Sequence, residues 1–444
     1  MKPHDAFAFS APSLLMAGFA FLGGSFGGQT ASNSLSPSPV HPPAVIAHEG
    51  RSPETRPTRL QPGNTAFRDT EAGVITTVVG NHGCTPFARA CFGGPGGDGL
   101  PAKDGWLQGP SGLFIDASGN LLIADSFNHR IRQVDSVTGV ITTVAGNSHC
   151  FQNRCDGFFS GDGGLAVAAE LNNPRAVTAD ADGNIFIADT NNHRIRRIDK
   201  ITGLISTIVG SFRGFSGDGG PARNAELNEP WGVAVDTSGN LFIADSGNGR
   251  VRRVDHATGI ITTVAGRGYG ISSGDGQLAI NAGLPQPFGL CIDPDGNLLI
   301  SSEHSIRSVN LTTGIITTVA GGNGRGFSGD DGPAVKAQIT TAQAITTDAA
   351  GNLFIADAGN HRVRRVDHAT GIITTIVGDG KQGYIGDGEV ATGAEVSLLM
   401  GIAVDGAGNL FFADTNNHRV RRVQMAPVKS VINKGQDKPQ APKN

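Results

Sequence analysis

The chain has 444 residues, 38% apolar and only 17% charged, with 65 glycines and a formal charge of −4. So much glycine without a collagen period calls for many turns. The slightly acidic balance excludes a general attraction to nucleic acid or to anionic membranes.

At the N-terminus, Lys2 and His4 precede an apolar run, Leu14–Leu22, which small residues follow through Ala31 and Ser32. This predicts a secretory signal over residues 1–31, with a retained membrane tether as the alternative. No Cys follows the run, so a lipid anchor is not expected. Residues 32–72 are rich in Pro, Ser and Thr and lack any periodic pattern, which predicts a disordered linker. Residues 425–444, with Lys429, Lys434, Lys438 and Lys443, read as a loose tail.

Between them, residues 73–424 repeat one unit, clearest at Pro230–Gly266. Four strand-length runs rich in Val, Ile, Phe and Thr, here lettered a to d, are Gly232–Asp236, Leu241–Asp245, Val251–Asp255 and Ile260–Ala265. Asp-x-x-Gly-Asn and Asp-x-x-Thr-Gly turns separate a from b and c from d. Strand b is apolar on both faces, so both faces of the sheet must be covered. The Asn before strand b recurs at Asn120, Asn184, Asn240, Asn297, Asn352 and Asn409, at intervals of 55 to 64 residues. Six copies of a four-stranded antiparallel unit predict an all-β, six-bladed β-propeller.

The first copy begins out of phase. Gly73–Gly80 matches strand d, whereas the last unit, Gly401–Val423, has a, b and c but no d after it. The N-terminal strand is therefore expected to complete the C-terminal blade as its outermost strand, which removes an exposed edge. Strand direction sorts the loops. The short a–b and c–d turns share one face of the disc. The b–c loops and the long d–a crossovers share the other, the crossover face, where binding is expected.

Strand b ends in Asp, and an Arg follows five residues later: Asp125/Arg130, Asp189/Arg194, Asp245/Arg250, Asp357/Arg362 and Asp414/Arg419. Near-identical copies favour a structural brace, in which carboxylate and guanidinium pair and the intervening His packs or bonds backbone, over a ligand or metal ring. At these residues the chain resembles the NHL-repeat propellers, whose consensus P-x-G-V-A-V-D-x-x-G-N-L-F-I-A-D-x-x-N-H-R-I-R-R runs through all six units. The resemblance implies a six-bladed propeller and no single function. Members of the family include RNA-binding and protein-binding modules and extracellular sensor domains of bacterial receptor kinases, and relatives include lyases and lactonases.

The crossover loops carry a Gly-Asp-Gly repeat, read as Gly-Asp-Asp-Gly at Asp330, with Asp98, Asp162, Asp218, Asp275, Asp330 and Asp387. One Asp amid glycines does not supply a calcium loop. That Asp, or a nearby Gly, is expected to cap a short helical turn over residues such as Pro221–Leu227. Cys84 and Cys91 lie in the first crossover, Cys150 and Cys155 in the second. In an exported protein both pairs read as local disulfides, with a zinc site shared with His82 and His149 as the alternative. Cys291 falls in strand a, as a buried free thiol. The fourth unit is the exception: its b–c loop is two residues shorter, and it offers Glu303 and His304 in place of the Asp/Arg pair.

These readings predict a noncatalytic, secreted or periplasmic binding module, monomeric, without cofactor and without a stable membrane span once the signal is removed. Its partner is expected to be a protein or glycan and not a nucleic acid, with Glu303 and His304 as candidate contacts. The alternative is a lyase-like or lactonase-like propeller enzyme with an axial metal site. The near-uniform units show no axial chemistry.

Overall fold

Blade 3 shows how the repeat folds. In the computed structural model, which describes residues 73–80, 96–147, 149–151 and 154–425, its strands are a (Pro230–Val235), b (Leu241–Asp245), c (Arg250–Val254) and d (Ile261–Ala265). They pair antiparallel in that order. The a–b turn is held by its own side chains. Asp236 accepts the Ser238 and Asn240 amides at 2.9 and 2.8 Å, and Asn240 Oδ1 accepts the His256 amide at 3.1 Å. Gly239 takes the left-handed conformation this turn needs, at φ 81°.

Among the described residues six such blades are present, the fifth extended by a two-residue outer strand, Gly332–Pro333, and their a strands touch one another in a closed ring about the axis. The ring closes as the offset count requires. Ile75–Val79 pairs antiparallel with Arg419–Val423, strand c of blade 6. A bulge between Thr77 and Val79 turns successive apolar residues to opposite sides. Ile75 therefore packs in the cluster shared with blade 5, and Val79 in the one shared with blade 1.

The core consists of six wedges, each between two neighbouring blades. Strand b of blade 3 feeds two of them: Leu241 and Ile243 face blade 2, Phe242 and Ala244 face blade 4. Each fully buried Leu, Ile or Phe of this kind contributes about 1.5–3 kcal/mol. No helix among the described residues is long and apolar enough to cross a membrane.

The crossovers protect the outer edges. Before blade 3, Gly219 donates to Ile261 and Ala222 to Gly259, at 2.8 and 2.9 Å. The chain then makes a 3-10 turn, Ala222–Asn224. Asp218 does not cap that turn, contrary to the sequence expectation. Pro221 precedes it and no side chain caps it, because the carboxylate is held elsewhere.

Candidate functional site

The brace exists, but its ion pair is not the predicted one. Asp125, Asp189, Asp245, Asp357 and Asp414 each pair with the arginine seven residues on, Arg132, Arg196, Arg252, Arg364 and Arg421, at 3.4–3.5 Å. The pairs Asp125/Arg130, Asp189/Arg194, Asp245/Arg250, Asp357/Arg362 and Asp414/Arg419 are backbone neighbours across the b–c ladder instead. Position along the strand explains the correction: Arg250 and Arg252 share one face of strand c, but Arg252 stands opposite Ile243 and is fully buried, whereas Arg250 stands at the strand's end opposite Asp245. A carboxylate from the crossover also binds each buried guanidinium: Asp98, Asp162, Asp218, Asp275, Asp330 and Asp387 bind Arg132, Arg196, Arg252, Arg307, Arg364 and Arg421 at 2.5–2.8 Å.

The strand-b aspartates also hold the loops. Asp245 accepts the Asn228 amide at 2.7 Å and Asn248 Nδ2 at 2.8 Å. Burial pushes Asp189, Asp245, Asp357 and Asp414 up to about 6, against these hydrogen bonds and the guanidinium charge.

The first arginine does different work. Arg194, Arg250, Arg362 and Arg419 lie over aromatic rings of the crossovers, Phe159, Phe215, Phe327 and Tyr384, at 4.1, 3.9, 3.8 and 5.5 Å. Three of them also donate to main-chain carbonyls just past strand d: Ser211, Arg267 and Asp379. The histidine before the arginine occupies the left-handed region at His129, His193, His361 and His418. Three of these latch onto the next blade. Nδ1 of His129, His193 and His418 accepts the amide of Asn173, Glu229 and Gly109 at 2.9, 3.1 and 2.9 Å. Blade 3 has Gly249 at this position, φ 61°.

Blade 4 lacks these parts together. Ser302 replaces the strand-b Asp, Ser305 the first Arg, and Ser272 the crossover aromatic. Ser302 Oγ donates to the Ser305 carbonyl at 3.2 Å, and Arg307 keeps only Asp275 as a carboxylate partner. Beside Ser305 opens a pocket of about 510 Å³ lined by Tyr269, Ile271, Pro285, Glu303, His304 and Gly322, among others. Glu303 and His304, expected from the sequence as contacts, are thus together on its wall, 3.9 Å apart. Nδ1 of His304 is buried without a hydrogen-bond partner.

A second feature was missed. The variable residue of P-x-G forms a ring around the crossover-face mouth of the channel: Ser111, Arg175, Trp231, Phe288, Gln343 and Met400. Six unlike side chains meet there, which corrects the expectation of axial uniformity. The only signal in the sequence is that this position changes in every unit. Arg175 spans the mouth. Its guanidinium lies 4.8 Å over Trp231, whose ring packs against Phe288 at a 43° tilt, and Nη1 reaches Met400 Sδ at 3.4 Å. Burial pulls Arg175 down to about 10. The free space at the mouth is about 70 Å³, too small for a drug-sized ligand. Below it the channel is lined largely by apolar side chains. Cys291 is free there, in the channel wall and only half-buried, 3.6 Å from Thr347 Oγ1. Burial pushes its thiol up to about 11.

Cys150 and Cys155 are directly opposed backbone partners in a small hairpin, His149–Phe151 with Arg154–Asp156. Cys84 and Cys91, the expected signal and linker, and the tail beyond Met425 lie outside the described residues.

A family model described as the Teneurin NHL domain matches residues 151–216 and 213–273. Protein SUPPRESSOR OF QUENCHING 1, chloroplastic, of Arabidopsis thaliana is 30% identical over 344 residues, covering 74% of this chain and 31% of the relative. Human NHL repeat-containing protein 2 is 29% identical over 357 residues, covering 73% and 47%. The chain thus spans less than half the length of these curated relatives. A solved structure of an auxiliary nutrient binding protein from Bacteroides thetaiotaomicron shares the fold, with TM-score 0.54 and 19% identity, covering 79% of this chain and 75% of that one.

Proposed function

The chain belongs to the NHL-repeat β-propeller family, and from that premise we propose that it is a noncatalytic, exported binding module whose protein or glycan partner seats on the crossover face at blade 4. The observation that carries this reading is the blade-4 pocket. Its volume is in the range of ligand sites. It opens where a structural brace repeated in the other five blades has been removed. Repeated braces serve the scaffold, and an asymmetric partner is best recognised where the symmetry breaks.

The alternative is an axial-metal lyase or lactonase. On the described mouth ring its ligands would have to come from Ser111, Gln343 and Met400, beside the cationic Arg175. That donor set holds no carboxylate or imidazole and suits a hydrolytic metal poorly. The export reading extends to the cysteines. A directly opposed pair flanking a tight hairpin is within disulfide reach, so Cys150–Cys155, and by analogy Cys84–Cys91, are proposed as local links.

The test is capture of partners from the native cell envelope by the wild-type protein and by the Glu303→Ala/His304→Ala double variant. The variant is expected to lose at least about tenfold in capture with an unchanged melting temperature. A variant that melts lower yet captures as well would mark blade 4 as a divergent repeat only.

A further inference from the structure

The four complete stacks describe what the blade-4 pocket lacks. In blades 2, 3, 5 and 6 this volume is filled by an arginine lying on an aromatic ring. Its guanidinium is held by a main-chain carbonyl just past strand d in blades 2, 3 and 5. In blade 4 both the arginine and the ring are serines, Ser305 and Ser272, whose hydroxyls stand 3.4 Å apart. The residue past strand d that corresponds to Arg267 is Gly322, and it lines the pocket. A replacement ring is at hand: Tyr269, three residues before Ser272, lines the same pocket, its hydroxyl bonded to the Gly247 carbonyl of blade 3.

Charge points the same way. A complete blade sets two carboxylates against two arginines, as Asp218 and Asp245 against Arg252 and Arg250 in blade 3. Blade 4 has lost one of each, leaving Arg307 sealed against Asp275. Asp275 is also the most exposed of the six crossover aspartates, at 53%. An added cation would need one new carboxylate, and Glu303 supplies it on the pocket wall, beside the His304 ring.

We propose that the blade-4 pocket receives an arginine side chain from a protein partner, which completes in trans the arginine-on-aromatic stack that the other blades make in cis. The guanidinium would lie against Tyr269, with the Glu303 carboxylate and the Gly322 carbonyl as acceptors. The inference rests on the proposed binding role of this face and specifies its ligand. A guanidinium is favoured over an ammonium because the template is a planar group on a ring with carbonyls at its edge.

The full-length protein titrated with Nα-acetyl-arginine methylamide, and with its neutral citrulline counterpart, tests the claim. The readout is the NMR signals of Tyr269 and His304. Arginine is expected to bind at least about tenfold more tightly than citrulline. Glu303→Gln should weaken arginine binding severalfold and leave citrulline unaffected. The double variant Ser272→Phe/Ser305→Arg, which rebuilds the internal stack, should abolish binding; Tyr269→Ala, which leaves the b–c loop intact, should weaken it in any case. Equal binding of arginine and citrulline, or arginine binding indifferent to both Glu303→Gln and Tyr269→Ala, would overturn the inference. If a captured partner still loses affinity on Glu303→Ala/His304→Ala while arginine does not compete for it, the binding role stands and only the arginine assignment fails.

Discussion

Blades 3 and 4 are neighbours built on the same four strands, and they share one apolar wedge between them. The difference that opens a cavity lies at the crossover end. In blade 3 the buried Arg252 is clamped between Asp218 and Asp245, and Arg250 closes the surface over Phe215. In blade 4 Arg307 keeps one carboxylate among the described residues, Asp275, and also donates to Ser272 Oγ at 3.0 Å; serines stand where the second carboxylate, the outer arginine and the ring would be. The comparison teaches that the brace is separable from the fold. The sheet and its apolar wedges survive the loss of the charged clamp, so the clamp serves the loops above the strands. Where it is dispensed with, a cavity takes its place.

Removing the inner arginine gives the largest expected difference. Arg252→Ala leaves Asp245 buried without its guanidinium, which costs about 3–5 kcal/mol. Arg307→Ala leaves only Asp275, already half in water, and is expected to cost less by about 1–2 kcal/mol. Urea unfolding of the two variants measures this. Equal costs would mean that the strand-b aspartate adds nothing to the clamp.

The histidine latch sharpens the contrast with a smaller effect. His418 accepts the Gly109 amide through Nδ1, and burial holds its imidazole below the usual histidine range. The folded state therefore favours the neutral ring. Stability from the latch is fully present above the unfolded value near 6.5 and is lost as pH falls below it. His418→Gly keeps a residue suited to the left-handed conformation, as Gly249 does in blade 3. It is expected to cost about 1 kcal/mol at pH 7.5, with the deficit relative to wild type shrinking towards pH 5.5. His304→Gly, which removes a ring whose Nδ1 has no partner among the described residues, should cost less than His418→Gly at pH 7.5. A His418→Gly deficit that stays constant with pH would show that the ring acts by packing and not as an acceptor.

Much of this architecture is legible in the sequence. Strand b of blade 3 begins and ends where its apolar run does, Leu241–Asp245, because its composition and both flanking turns agree. Strand c begins one residue earlier than its apolar pattern suggests, at Arg250, since cross-strand pairing with Asp245 and not side-chain polarity sets its start. Ring closure could be counted from the out-of-phase strand d. The ion pairs could not. Asp and Arg five apart are neighbours in the ladder, but which guanidinium turns inward depends on its depth along the strand and on a crossover aspartate 34 residues upstream. Glu303 and His304 stood out because a two-residue deletion breaks a strict repeat. Arg175 and Trp231 were hidden because a position that differs in every unit reads as unconstrained, whereas here the six positions converge on one axis.

The central claim is that binding is confined to the crossover face around blade 4, and amide hydrogen exchange of the propeller with and without its captured partner tests it most directly. The account predicts protection gained at Tyr269–Ser272, Glu303–Ser305 and the Gly322 loop. Protection confined to the Asp-x-x-Gly-Asn and Thr-Gly turns of the opposite face, or to the outer d strands, would contradict it.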